Sequence, residues 1–165
     1  MIRIEKARLE SAKSDPDSFL DVFFSSYMKG YEDVCAEQMA SLNWYMNTLL
    51  AYVIVRNEVS DGGFLQLMHN GYGGYVFDNP FAKSLKLFGL KDLSKMIYDL
   101  RKVYLTHKDD IEADCSDDEF MAKYERYDML DDYDDEFIEH EEEWTCFLAS
   151  YVEANMDKFA DEITE

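Results

Sequence analysis

The stretch Tyr127 to Trp144, YDMLDDYDDEFIEHEEEW, puts ten acidic residues into eighteen positions yet keeps apolar residues at helical spacing. Few folds can absorb such a run. At ~100° per residue, Phe137, Trp144, Leu148, Tyr151 and Phe159 form one stripe from about Asp134 onward. Asp132, Asp135, Glu139, Glu142, Glu143, Glu153 and Asp157 fall on the opposite face. The segment is therefore expected to be an amphipathic helix with an aromatic anchor, not a disordered tail. Glu141 falls on the apolar side, so a boundary position or a partner is expected for it. The cluster Asp131 to Glu136 sits at the helix N-terminus, where the macrodipole favours negative charge. Like charges at i,i+4 further along destabilise by ~0.2–0.5 kcal/mol per pair. Burying one Trp or Phe, at roughly 1.5–3 kcal/mol, offsets several such pairs.

The formal net charge of the 165 residues is −20, and its placement matters more than its size. Residues 1–108 hold 13 acids and 13 bases, whereas residues 109–165 hold 23 acids against Lys123, Arg126 and Lys158. A salt-adapted protein would spread acid over its whole surface, so this charge is a local device. It argues against nucleic acid as a partner, because that needs Lys and Arg to neutralise phosphates, and equally against an anionic membrane surface. With 47% hydrophobic and 15% aromatic residues, the chain is no disordered acidic protein. One domain, 1–165, is expected, with a charge-balanced scaffold over 1–108 and an acidic helical region over 109–165. No stretch resembles a signal peptide or approaches the ~18 apolar residues of a membrane span. Cys35, Cys115 and Cys146 are odd in number and widely spaced, which suits reduced thiols and a cytoplasmic location.

The remaining periodicity is helical almost throughout, giving an all-α fold: a single compact multi-helix domain with an acidic C-terminal helical face. Residues 1–13 read as a short helix or arm. Pro16 lies near a helix start that buries Phe19, Val22 and Phe23 and stops at Gly30. A long helical segment is expected from about Glu32 to Arg56, through Val34, Met39, Leu42, Met46, Leu49, Leu50 and Val53. Asn79 is expected as N-cap with Pro80 at the first helical position and Gly89 as the stop. Leu93, Met96, Ile97, Leu100 and Tyr104 mark a helix over Leu90 to Leu105. Ser116 and Glu119 form a capping box that opens a helix carrying Phe120, Met121, Tyr124 and Tyr127. No segment alternates with period two.

Asp-rich runs invite calcium, but the EF-hand register fails at the turn position. Starting at Asp132, Phe137 stands where Gly belongs; starting at Asp114, Glu119 does. His69, His107 and His140 are far apart and in no Glu-x-x-His pair, so no metal centre is expected. Asn70 to Tyr75, NGYGGY, lacks the Lys-Ser/Thr of a phosphate loop and reads as an irregular connection. No nucleophile elbow or Cys–His arrangement appears. The acids face solvent and not a cleft. No catalytic residue, cofactor or metal is expected, and the chain is not read as an enzyme.

Recognition remains. Residues 109–143 hold 18 acids and two bases, net −16. If wholly helical, that is one charge per ~3.3 Å at ~1.5 Å per residue, against ~3.4 Å between phosphates along one DNA strand. The bland alternative is a solvated acidic face, the commonest fate of charge runs. Glu58 to Gly73, EVSDGGFLQLMHNGYG, supplies a second observation. It resembles the Glu-Val-x-Asn-Gly-Gly-Phe-x-Gln signature, followed by an Asn, of a bacterial family of DNA-mimic proteins. Glu58, Val59, Gly62, Gly63, Phe64, Gln66 and Asn70 match, and Asp61 stands where Asn is usual. The resemblance extends more weakly over about residues 40–160. Size and acidity fit the family's founding mimic, with which the chain is provisionally equated.

Physically the signature reads as a helix end, a Gly-Gly corner with φ > 0, and a short second helix. Gln66 and Asn70, at i and i+4, are expected to return hydrogen bonds to helix-end carbonyls. The resemblance implies an all-helical homodimer that occupies the DNA-binding surface of a transcription regulator, by inference a helix-turn-helix protein, and blocks its access to DNA. The partner-binding, phosphate-mimicking residues expected are Asp109, Asp110, Asp117, Asp118, Glu125, Asp128, Asp131, Asp132, Asp134, Asp135, Glu139, Glu142, Glu143, Glu153 and Asp157. The rival reading is an acidic immunity or antitoxin protein that inhibits a basic nuclease.

Overall fold

A computed structural model describes residues 1–165. Ten helices account for almost all regular structure, so the fold is all-α, as the periodicity predicts. Two three-residue strands are the exception. β1 (Arg3–Glu5) pairs in parallel with β2 (Glu162–Thr164), with Ile4 opposite Ile163. No helix is long and apolar enough to cross a membrane. The chain packs as two compact units, one of Met1–Val53 with Glu142–Glu165, the other of Ile54–Glu141. The change of charge balance at Lys108 lies inside a helix and is a boundary of composition only.

In the first unit, α1 (Lys6–Ala12) packs on α2 (Pro16–Tyr27). Asp15 caps α2 by accepting the Ser18 N–H at 3.1 Å, and Pro16 takes the first helical position, where its missing N–H costs nothing. Phe19, Val22 and Phe23 are buried, and Gly30 adopts φ 90° beyond the end. The long segment expected from Glu32 divides in two: α3 (Ala36–Ser41) and α4, which begins at Trp44. Asn43 makes the break, because its side-chain oxygen accepts the Met46 N–H at 2.9 Å as an N-cap. Tyr27 donates to the Phe159 carbonyl at 2.6 Å, and the Tyr52 and Thr145 hydroxyls meet at 2.7 Å, so these buried hydroxyls are satisfied.

In the second unit, α6 (Phe81–Phe88) and α5 (Gly73–Phe77) pack on α7 (Lys91–Glu112). The expected N-cap at Asn79 is displaced by one residue to Pro80. Asn79 instead turns back and donates to the carbonyls of Tyr75 at 3.1 Å and Gly74 at 3.4 Å. Gly89 ends α6 at φ 108°. The stretch read as an irregular connection, Asn70 to Tyr75, runs into the first three residues of α5. Gly73 is required there, because a Cβ would collide with the Tyr104 ring. α7 runs seven residues past Leu105, and α8 (Asp117–Arg126), a short 3-10 turn (Asp128–Leu130) and α9 (Asp131–Ala154) follow. α10 (Met156–Phe159) closes the helical part of the chain.

Candidate functional site

The acidic segment is built from the end of α7, all of α8 and the first turns of α9. Ser116 opens α8 with the expected capping box: its hydroxyl accepts the Glu119 N–H at 3.2 Å, and Glu119 accepts the Ser116 N–H at 3.1 Å. The Glu119 carboxylate is thereby engaged in the cap, while Asp117, Asp118 and Glu125 stay exposed. In the first turn, Asp117 and Asp118 also complement the helix dipole. Leu130 anchors the 3-10 turn in the core and leaves Asp128 outside. Along α9, Phe137, Trp144 and Leu148 are buried, whereas Asp131, Asp132, Asp135, Glu136, Glu139, Glu142 and Glu143 are exposed. Glu141 is half-buried at the margin of the stripe. Past Trp144 the outer face carries Cys146, Phe147 and Ser150. The continuous acidic face is therefore Asp131 to Glu143, about 18 Å at ~1.5 Å per residue.

Every expected phosphate-mimicking residue is exposed except Asp134. Asp110 and Glu153 are exposed and nevertheless engaged inside the protein. Asp110, beside exposed Asp109 at the end of α7, accepts hydrogen bonds from the Tyr127 hydroxyl and from Arg126 Nη1, the latter at 2.8 Å. The Tyr127 bond first, then the Arg126 guanidinium, hold its carboxyl below the usual carboxylate range. Buried Lys123 donates to the Asp110 backbone carbonyl at 2.5 Å. Both cations of the acidic segment are thus turned onto one residue. In the first unit, Glu153 meets Lys13 at 2.5 Å, and Asp157 is exposed on α10. Met121, among the apolar residues expected on α8, is 62% exposed.

Asp134 has a different surrounding. Its Oδ1 accepts the Phe64 N–H at 2.8 Å, and burial pushes its carboxyl up to about 6, against the lowering effect of that bond. Neighbouring Asp131 and Asp135 push in the same direction as burial. Phe64 belongs to the signature stretch. There α4 (Trp44–His69) leaves helical geometry at Gly62 (φ −150°, ψ 16°) and Gly63 (φ 76°, ψ −178°), so positive φ occurs at Gly63 alone. A Cβ on Gly63 would strike the Asp134 carboxylate, and one on Gly62 would strike Gln66. Gln66 and Asn70 do not return to carbonyls. They donate to the Glu58 carboxylate at 3.2 and 2.8 Å, and Gln66 also donates to Asp61 at 2.8 Å. Asp61 therefore serves as an acceptor at the position where the signature usually has Asn.

Sequence reasoning overlooked Tyr124, whose hydroxyl donates to the Gly62 carbonyl at 2.8 Å across 62 residues. Nothing local announces that bond. Lys123 and Arg126 did carry a signal, being the two bases of residues 109–143. His69 is structural: Nδ1 lies 2.8 Å from the Ile111 carbonyl and the ring stacks on Phe120. His107 packs against Tyr127.

A sequence profile described as DMP19-like protein matches residues 40–155, which takes in the Gly-Gly corner and the acidic face through Glu143. A protein of Neisseria meningitidis serogroup B named DNA mimic protein DMP19 is 28% identical over 150 residues, covering 90% of this chain and 90% of the relative. At that identity the provisional equation with the founding mimic reaches no further than kinship. The profile spans well over half of the chain, and the protein belongs to the DMP19-like family.

Proposed function

We propose that this protein is a DNA mimic. Its exposed carboxylates on α8 and α9 stand in for phosphates and cover the DNA-binding surface of a transcription regulator of the helix-turn-helix type, which then cannot hold its operator. The observation that carries this reading is the acidic face Asp131 to Glu143, fixed on a folded helix by Phe137 and Trp144 and holding no Lys or Arg in that span. Three turns of helix at ~18 Å match about five phosphate spacings of ~3.4 Å. The contacts are charge-assisted, Arg and Lys of the partner meeting carboxylate oxygens, so association is steered and falls with salt. Asp117, Asp118, Glu125 and Asp128 extend the surface, and Asp110 and Glu153 contribute less because each already holds a cation. The protein acts as a homodimer and performs no catalysis.

The test begins with low-salt affinity capture to identify the partner, followed by displacement of that regulator from labelled operator DNA. Wild-type protein releases the DNA. A variant with Asp132, Asp135, Glu139 and Glu142 all changed to Lys, folded by circular dichroism, does not. Full activity in that variant sinks the assignment of this face. Recovery of a nuclease whose active site the protein blocks favours the inhibitor reading instead. Sedimentation velocity reads the dimer directly.

A further inference from the structure

Two helices that carry exposed acids are tied to neighbouring backbone groups of one corner. α9 is held through Asp134, which accepts the Phe64 N–H at 2.8 Å. α8 is held through Tyr124, which donates to the Gly62 carbonyl at 2.8 Å. One turn after Asp134, the Phe137 ring meets the Phe64 ring edge-on at 5.8 Å and 88°. Phe64 and Phe137 are both completely buried. The corner admits these approaches because it has no side chain: a Cβ on Gly63 would occupy the place of the Asp134 carboxylate. Gln66 lies against Gly62 and is held in turn by Glu58 and Asp61. A phosphate mimic needs its oxygens open to the partner, whereas Asp134 is half-buried with Oδ1 already occupied.

We infer that Asp134 is a positioning residue and not a phosphate mimic: with Tyr124, it locks the start of α9 and the last turn of α8 onto the Gly62–Phe64 corner, and Gly63 leaves the space that its carboxylate fills. This rests on the mimic reading only for its purpose, since a phosphate-like array is useful only if its spacing is fixed. Asp131 and Asp135 on its own helix, Tyr124 on α8 and Asp61 on α4 are the titratable groups around the site. Burial, with the Asp131 and Asp135 carboxylates adding to it, raises the Asp134 carboxyl to about 6, so the lock is sensitive to pH in the neutral range.

The test is a pH titration followed by amide NMR, with hydrogen exchange on the same samples. In the wild type, the Phe64 amide signal moves with a midpoint near 6; in Asp134→Asn, which keeps an acceptor but cannot ionise, it stays flat. Asp134→Ala raises exchange by roughly tenfold over Asp131–Glu143, as loss of a charge-assisted bond implies, and Asp134→Asn restores most of the protection. Tyr124→Phe raises exchange over Asp117–Arg126. Glu139→Gln, on the open face, changes neither region. A Phe64 amide that titrates unchanged in Asp134→Asn overturns the proposal, as does wild-type protection of Asp131–Glu143 in Asp134→Ala. If Asp134→Ala does not fold, the Asn and Tyr124→Phe variants decide the matter. None of these readouts involves a partner, so failure of operator release with these amide results intact rejects the mimic reading alone.

Discussion

At the scale of single residues, two aspartates of the same acidic segment respond to pH in opposite ways. Asp134 has its folded value raised from 3.8 to about 6 by burial. Its contribution to stability is fully present below 3.8 and is lost as pH rises through about 6, because the folded form holds a proton that the unfolded chain has already released. Asp134→Asn escapes that loss. Measured by urea denaturation, the variant should gain on wild type by about 1 kcal/mol between pH 4 and 7.5, a figure reduced for partial solvent screening. A pH-independent difference would contradict this. Asp110 has its folded value lowered by Tyr127 and Arg126, so its contribution exists above the unfolded value and disappears as pH falls through the folded one. Gly63 gives the second prediction at this scale. With φ 76° and the Asp134 carboxylate where a Cβ would go, Gly63→Ala should cost about 1–3 kcal/mol or more. Gly30, also at positive φ but with open space around it, should tolerate Ala better.

At the scale of elements, α8 shows what the sequence makes legible. The Ser116–Glu119 box lies within four residues, so both its bonds can be anticipated and both are present. Ser116→Ala should destabilise by about 0.5–2 kcal/mol in thermal or urea unfolding, with the loss confined to α8 in exchange data. On α9, Trp144→Ala should cost about 3–5 kcal/mol, while Glu139→Gln on the same helix should change stability by no more than about 0.5 kcal/mol. That contrast measures directly how the aromatic stripe supports the charged face. What periodicity hides is equally physical. Leu42 and Met46 are both buried on either side of Asn43, so the apolar pattern runs straight through a break that only a cap reveals. Asn79 and Pro80 look like a helix start, yet the Asn79 side chain finds the carbonyls of α5 first. β1 and β2 are three residues each and more than 150 residues apart, too short to show alternation and too distant for any local signal. The Tyr124 and Asp134 bonds to the corner span 62 and 70 residues, so the acids were readable as a face while their attachment was not.

At the scale of the whole molecule, the net charge of −20 sets a balance between folding and recognition. Asp132 and Glu142 are ten residues apart on α9, about 15 Å at ~1.5 Å per residue. The Debye length is about 30 Å at 0.01 M salt and about 8 Å at 0.15 M. At low salt every exposed carboxylate on this face therefore feels all the others; at physiological salt it feels chiefly its nearest neighbours. Lys123 and Arg126, both turned onto Asp110, give no relief along α9. Moving from 0.01 to 0.15 M sodium chloride should thus stabilise the fold. A gain of about 1 kcal/mol corresponds to roughly 2–4 °C in Tm for a chain of this length. The same change of salt should slow association with a basic partner, because screening removes long-range steering. Opposite signs in the two measurements identify one cause, the crowding of like charges on the acidic face. A Tm that does not move with salt would mean that the carboxylates already have counter-charges, within the chain or across a dimer. The charge-reversal variant at Asp132, Asp135, Glu139 and Glu142 then separates these cases: it should melt higher than wild type at 0.01 M salt if the face is uncompensated, and lower if partner groups already neutralise it.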